Sequence, residues 1–306
     1  METRKALELA LKSLSATQPQ LAIQFAELLP EGPLRAGTIE RAAIKWAHSD
    51  ALAVMEWLPG QPLATQAAVM LSLAEPLART DLGFAMSYPV DLVPEAARRG
   101  WVTTILGHAA REDPVAAHAW IREYQTLPEY PHWLRNLAGT WAETDPYAAL
   151  EVVNGLDDDR ERSRALSGVV GRWAAADGPA AAGWLESPAS GQNRSRLIQT
   201  VAFNWHQVHP SAARDWVTGL QSPEERNRGL LGLVNAVVPD AGLSEDYIQL
   251  MSGEESRLEA YNMLIHRMAQ EDPNVAQAYL DSLAIRGSGK SQLQQTIDEA
   301  HSSKRH

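Results

Sequence analysis

The sequence predicts an all-α protein: a right-handed αα-superhelix (solenoid) of about nine helical hairpins of 31–32 residues, with a C-terminal capping helix. Three observations carry this prediction. The segment Trp-Ala-x-x-Asp-Pro-x-x-Ala at Trp141–Ala149 recurs in variant form. Anchoring on its Asp gives Gln18, Asp50, Asp81, Asp113, Asp145, Asp177, His209, Asp240 and Asp272, in steps of 31 or 32 residues. Seven residues after the anchor stand Phe25, Trp57, Tyr88, Trp120, Val152, Trp184, Trp216, Tyr247 and Tyr279, aromatic in eight of nine repeats. Four after it, Ala recurs in seven repeats (Ala22, Ala85, Ala117, Ala149, Ala181, Ala213 and Ala276), where a small side chain lets helices approach closely.

Each repeat opens on a helix A. Apolar residues fall at about −12/−11, −8/−7 and −4/−3 from the anchor, as in Leu134, Leu137/Ala138 and Trp141/Ala142, and this is the stripe of an amphipathic helix. The −4 position is apolar throughout, from Leu14 and Trp46 to Trp141, Trp173, Trp205 and Met268, so both it and the aromatic row are expected to be core. Trp101 and Trp133 stand out of phase at −12 and are expected to be partly exposed. Asp-Pro then makes the turn: the carboxylate accepts from orphan amides, and Pro at the first helical position has no amide to lose. A second stripe at +3/+4 and +7/+8 (Ala180/Ala181, Trp184/Leu185) makes helix B. Linkers such as Leu29-Pro30-Glu31-Gly32-Pro33 and Leu127-Pro128-Glu129-Tyr130-Pro131 end helix B.

Two repeats depart from the rule. The third carries Pro76 inside helix A and Leu82 in place of Pro, and the eighth reads Val238-Pro239-Asp240-Ala241-Gly242, with Ser244 expected to cap in place of Asp240; both are expected to kink or to change the superhelical pitch. Residues 290–301 read as a capping helix and 302–306 as a tail. Residues 1–306 are thus expected to form one domain.

Composition bounds the function. The absence of Cys excludes disulfides, Cys-ligated metals and thiol catalysis. With 27 Lys+Arg against 38 Asp+Glu, net −11, nucleic acid is not an expected partner. No stretch reaches the roughly 20 apolar residues of a membrane span. A soluble protein is expected, cytoplasmic as numbered or exported if an upstream signal was removed.

The repeats resemble the broad αα-solenoid class, tetratricopeptide-like and HEAT-like, over essentially the whole chain. The likeness is to the class: the 34-residue tetratricopeptide unit with its Trp-x-x-Leu-Gly-x-x-Tyr opening is not present, and no family's functional residues carry over. The resemblance implies a partner-binding scaffold with a long concave surface.

The residues that could bear chemistry are few. His206 and His209 straddle a turn and read as a surface His and a substituted cap; Asp157-Asp158-Asp159 lacks the ligand spacing of a calcium loop. Arg35, Arg98, Arg162, Arg194 and Arg257 recur at −15, where a guanidinium reaches the free carbonyls of the preceding helix B. No catalytic residue, metal ligand or cofactor is read. The candidate site is the polar row at −5, with Lys45, His108, Thr140, Arg172, Asn204, Asn235 and Arg267, joined one turn earlier by Arg41, Thr104, Asn136 and Thr200. Asn, Thr and His are poor helix formers and good hydrogen-bonding groups, which suits recognition better than solvation. Asn136, Arg172 and Asn204 are expected to be exposed. Beside the row, Gly107, Gly139 and Gly171 at −6 allow close backbone approach, by a neighbouring helix or by a bound segment. The expected function is a non-catalytic scaffold that binds a protein or peptide in its groove. The alternatives are an enzyme or enzyme subunit on an α/α toroid, and an accessory protein of a cell-envelope assembly.

Overall fold

The computed structural model describes residues 2–187, 194–238 and 240–303. Over these the protein is all-helical, 82% helix, with no strand. Its contacts gather into two compact units, Met1–Trp141 and Ala142–His306. The first holds α1 (Glu2–Thr17), α2 (Pro19–Glu27), α3 (Pro33–Ala47), α4 (Ala51–Trp57), α5 (Leu63–Thr80), α6 (Leu82–Ser87), α7 (Glu95–Glu112), α8 (Pro114–Arg122) and α9 (Tyr130–Trp141). The second holds α10 (Pro146–Asn154), α11 (Asp159–Ala176), α12 (Gly178–Leu185), α13 (Arg194–Val208), α14 (Pro210–Gly219), α15 (Pro223–Val237), α16 (Ala241–Gln249), α17 (Glu254–Glu271), α18 (Pro273–Ser282) and α19 (Ser288–Ser303). Odd-numbered helices are A helices and even-numbered ones are B helices.

The turns form as the capping chemistry dictates. Asp50, Asp81, Asp113, Asp145, Asp177 and Asp272 each precede a B helix and accept from an amide of its first turn at 2.8–3.1 Å. Each such cap contributes about 1 kcal/mol. Asp240 does the same for α16, accepting from Leu243 N at 3.0 Å, so Ser244 is not the cap. Ser244 instead lies inside the helix in the small-residue slot, fully buried. Pro76 sits within α5 without ending it, because the helix continues to Thr80. Pro239 and residues 304–306 of the expected tail lie outside the described residues, while Ser302 and Ser303 belong to α19.

All seven alanines at +4 are 0% exposed, as are Val54 and Ser244, which hold that slot in the other two repeats. The aromatic row at +7 is shallower than expected: Trp120 is buried, Phe25 is 49% exposed and the remainder are half-buried. The floor lies one residue on, at Leu58, Ile121, Val153, Leu185, Val217, Ile248 and Leu280. The +7 rings lean instead on the −4 rings of their own hairpins, Trp46 on Trp57, Trp173 on Trp184 and Trp205 on Trp216, with centroids 5.9–6.0 Å apart. Trp101 and Trp133 reverse the expectation of exposure, since both are 0% exposed. The neighbouring repeat covers them: Tyr88 meets Trp101 edge-on at 6.0 Å, and the Trp133 indole N–H donates to Arg99 O at 3.4 Å.

Within each unit every A helix packs on the next A helix; each B helix but α10 fills the angle between its own A helix and the following one, and α10 packs on α11. Among the described residues no two B helices of a unit form a packed pair. An arginine fixes most junctions. Arg35, Arg162, Arg226 and Arg257 donate to the carbonyls of Leu29, Leu156, Leu220 and Met251, each six residues upstream, and Arg98 donates to Val93 O. Arg194 of the same row forms a two-pronged ion pair with Glu225 of α15, at 2.5 and 3.2 Å, which holds its pKa above the usual arginine value. The last helix, α19, packs on α17 and α18 and buries Leu293, Ile297 and Ala300.

Candidate binding face

The −9 and −5 positions flank the buried stripe of each A helix, so the adjoining A helices decide how far they emerge. In the first unit Arg41 and Lys45 on α3 are exposed, whereas Thr104 and His108 on α7 and Asn136 and Thr140 on α9 are half-buried. Asn136 is thus less open than the exposure expected of it, and its Nδ2 donates to His132 O at 2.8 Å. His108 Nε2 lies 3.0 Å from Glu75 Oε2 on α5, and Arg79 Nε donates to the other oxygen at 2.6 Å. The His108 bond, then the Arg79 bond, hold the Glu75 carboxyl below its usual range.

Beside this cluster, between α3 and α5, opens a cleft of about 590 Å³. Ile44, Leu71 and Pro76 give it an apolar floor, and His48, Ser72, Glu75 and Arg79 line it. Leu71 is 45% exposed there. Leu71 and Glu75 were outside the sequence-derived row, since Pro76 holds the −5 position in this repeat and masks the polar register. Gly107 borders the same face with open space where a side chain would stand.

In the second unit part of the row serves the protein itself. Asn204 Nδ2 donates to Thr200 O at 2.8 Å and Thr200 Oγ1 to Arg196 O at 3.2 Å. A Cβ on Gly171 would lie 2.9 Å from Asn204 Nδ2, so this glycine admits the neighbouring helix α13. Asn204 is therefore half-buried, contrary to its expected exposure. Arg172 is exposed and pairs with Glu143 at 2.6 Å; Asn235 on α15 and Arg267 on α17 are also exposed.

The other candidates resolve into structural roles. His206 is buried and shares a 2.9 Å hydrogen bond with the Tyr247 hydroxyl, and burial lowers its pKa. His209 precedes α14 without a side-chain cap bond. Asp158 caps α11 through the amides of Arg160 and Glu161, which lowers its pKa, and Asp159 pairs with Arg162. Among the described residues no three His, Asp or Glu groups gather as a metal site would require.

One cluster has no sequence signature. Glu245 accepts from Tyr261 at 2.8 Å, Gln249 at 2.5 Å and Tyr279 at 3.0 Å. Burial and then the carboxylate bond push both phenols up, Tyr261 to about 12. These bonds tie α16, α17 and α18 together. No helix among the described residues is long and apolar enough to cross a membrane. Comparison with family models, curated proteins and solved structures returns no match.

Proposed function

We propose that the chain is a non-catalytic scaffold whose A-helix face binds a protein or peptide segment. The α3/α5 cleft carries this reading: it combines an apolar floor with a polar rim, on helices packed side by side. Such a site takes one apolar side chain of a partner and fixes its backbone by hydrogen bonds. The direct packing of A helices, with shorter B helices wedged behind them, supports the A layer as the tighter, concave side of each unit. Lys45, Thr104, His108, Asn136 and Thr140 belong to this face in the first unit; Arg172, Thr200, Asn204, Asn235 and Arg267 are the corresponding residues of the second. The sequence period, maintained from Gln18 to Asp272, supports reading the chain as about nine successive hairpins.

The test starts from a partner isolated by affinity capture. Its affinity is measured for the wild type and for a variant carrying Leu71→Ser, His108→Ala and Arg172→Ala. A fall of about tenfold or more is expected, as when side chains that contact a partner are truncated. Full retention of binding in a variant with wild-type helicity would refute the reading.

A further inference from the structure

A second cleft, of about 620 Å³, lies between α1 and α3, with Lys5, Leu9 and Lys12 on one wall and Leu34 and Arg41 on the other. Its charge is opposite to that of the chain. Three cations and one carboxylate, Glu8, line it, in a protein of formal net charge −11. Among the described residues Lys5 and Lys12 have no ion-pair partner, and Arg41 reaches only the Thr38 hydroxyl, at 3.5 Å. The cleft also presents apolar side chains at an exposed edge, Leu9 and Pro33 among them. Every residue from Lys5 to Ala10 is exposed, including Leu7 at 41% and Leu9 at 68%, so this stretch of α1 has little protein cover.

Cations that flank an apolar strip match a partner that alternates carboxylates with leucine-like side chains. We propose that the α1/α3 cleft docks an acidic amphipathic segment of a partner protein. Its apolar side chains lie on Leu9 and Leu34, and its carboxylates pair with Lys5, Lys12 and Arg41. The proposal rests on the reading of the A helices as the binding face and adds the chemistry of what binds at this end. A second copy of the chain suits the cleft less well: two α1 helices crossing antiparallel about Glu8 and Leu9 would set Lys5 of one copy against Lys12 of the other. A long polyanion is opposed by the net charge of the whole chain.

The probe is a fluorescent peptide of two repeats of Glu-Leu-Glu-Glu-Leu-Leu-Ala, compared by anisotropy with the same peptide carrying Gln for Glu. The wild type should bind the acidic peptide about tenfold more tightly than the neutral one, with affinity falling as salt is added. Lys5→Glu, Lys12→Glu and Arg41→Glu together should abolish that preference while leaving the melting temperature near wild type, because all three side chains are exposed. Leu71→Ser, in the other cleft, should leave the acidic peptide bound. No binding, equal affinity for both peptides, or unchanged binding by the charge-reversed variant would overturn the proposal. So would competition by a thymidine oligonucleotide as strong as by the acidic peptide, or a wild-type dimer in light scattering that the reversed variant lacks. The wider A-face reading fails separately, when a captured partner ignores Leu71→Ser and its companion substitutions.

Discussion

Trp205 on α13 occupies the space that a side chain on Gly178 of α12 would need. A Cβ built on Gly178 would lie 2.2 Å from Cδ2 and 2.3 Å from Cγ of the indole. Both residues are buried, so neither has room to retreat. Gly178→Ala is expected to cost about 1–3 kcal/mol, as overpacking does. Gly183→Ala, five residues along the same helix at an exposed site with open space, should be neutral or stabilise by about 0.5–1 kcal/mol. Urea denaturation of the two variants checks the contrast, and equal midpoints would remove the steric explanation.

Ser244 places a hydroxyl in a slot that is otherwise apolar. Its Oγ is buried and has no hydrogen-bond partner among the described residues. Desolvating such a group without pairing it is unfavourable, so Ser244→Ala should stabilise the protein by about 1 kcal/mol and raise its Tm. A lower Tm would show that the hydroxyl has a partner.

The tryptophans should divide by depth. Trp133 is fully enclosed, and its replacement by Ala should cost about 3–5 kcal/mol. Trp184 is half-buried and leans on Trp173, so Trp184→Ala should cost roughly 1–3 kcal/mol. Denaturant midpoints for the two variants give the comparison, and a costlier Trp184→Ala would invert the burial order.

Acid should weaken the fold before its carboxylates protonate. Burial lowers the pKa of His118, His132 and His206 below the ordinary 6.5, with nearby arginines adding to the effect at the first two. As pH falls through 6.5 the unfolded chain takes up protons that the folded histidines still refuse. The stability they contribute is thus complete above that value and is lost below it, towards their folded pKa values. Thermal melts should shift downward between about pH 7.5 and pH 5.5. A triple His→Gln variant should flatten the slope over this interval, and an unchanged slope would assign it to other groups. Glu75 adds to the loss only below its usual 4.5.

What could be read from the sequence was whatever a repeat enforces on itself. The Asp caps and the +4 alanines act within one hairpin, and their spacing carried both. Depth at +7 depends on whether B helices cover one another, which no periodicity encodes; among the described residues of each unit they do not, and most of the row stops halfway. Trp101 and Trp133 were misjudged for the related reason that their cover, Tyr88 and the Arg99 carbonyl, belongs to the repeat before. The candidate face shows the same division. Its polar row was visible, but the pairing of Glu75 with His108 spans 33 residues, one position off the repeat, and emerges only when α5 and α7 lie together.

The arginine bonds across the junctions bear on how the chain reaches its fold. A contact closed over six residues costs little loop entropy and can form before the helices on either side find distant neighbours. Each joint thereby sets its own geometry early, and assembly can spread from any of them. It also makes the joints interchangeable as splice points. Excision of residues 220–250 would bring the Met251–Arg257 joint to the end of α14, where Leu220 and Arg226 had stood, and should yield a shorter array that still folds cooperatively.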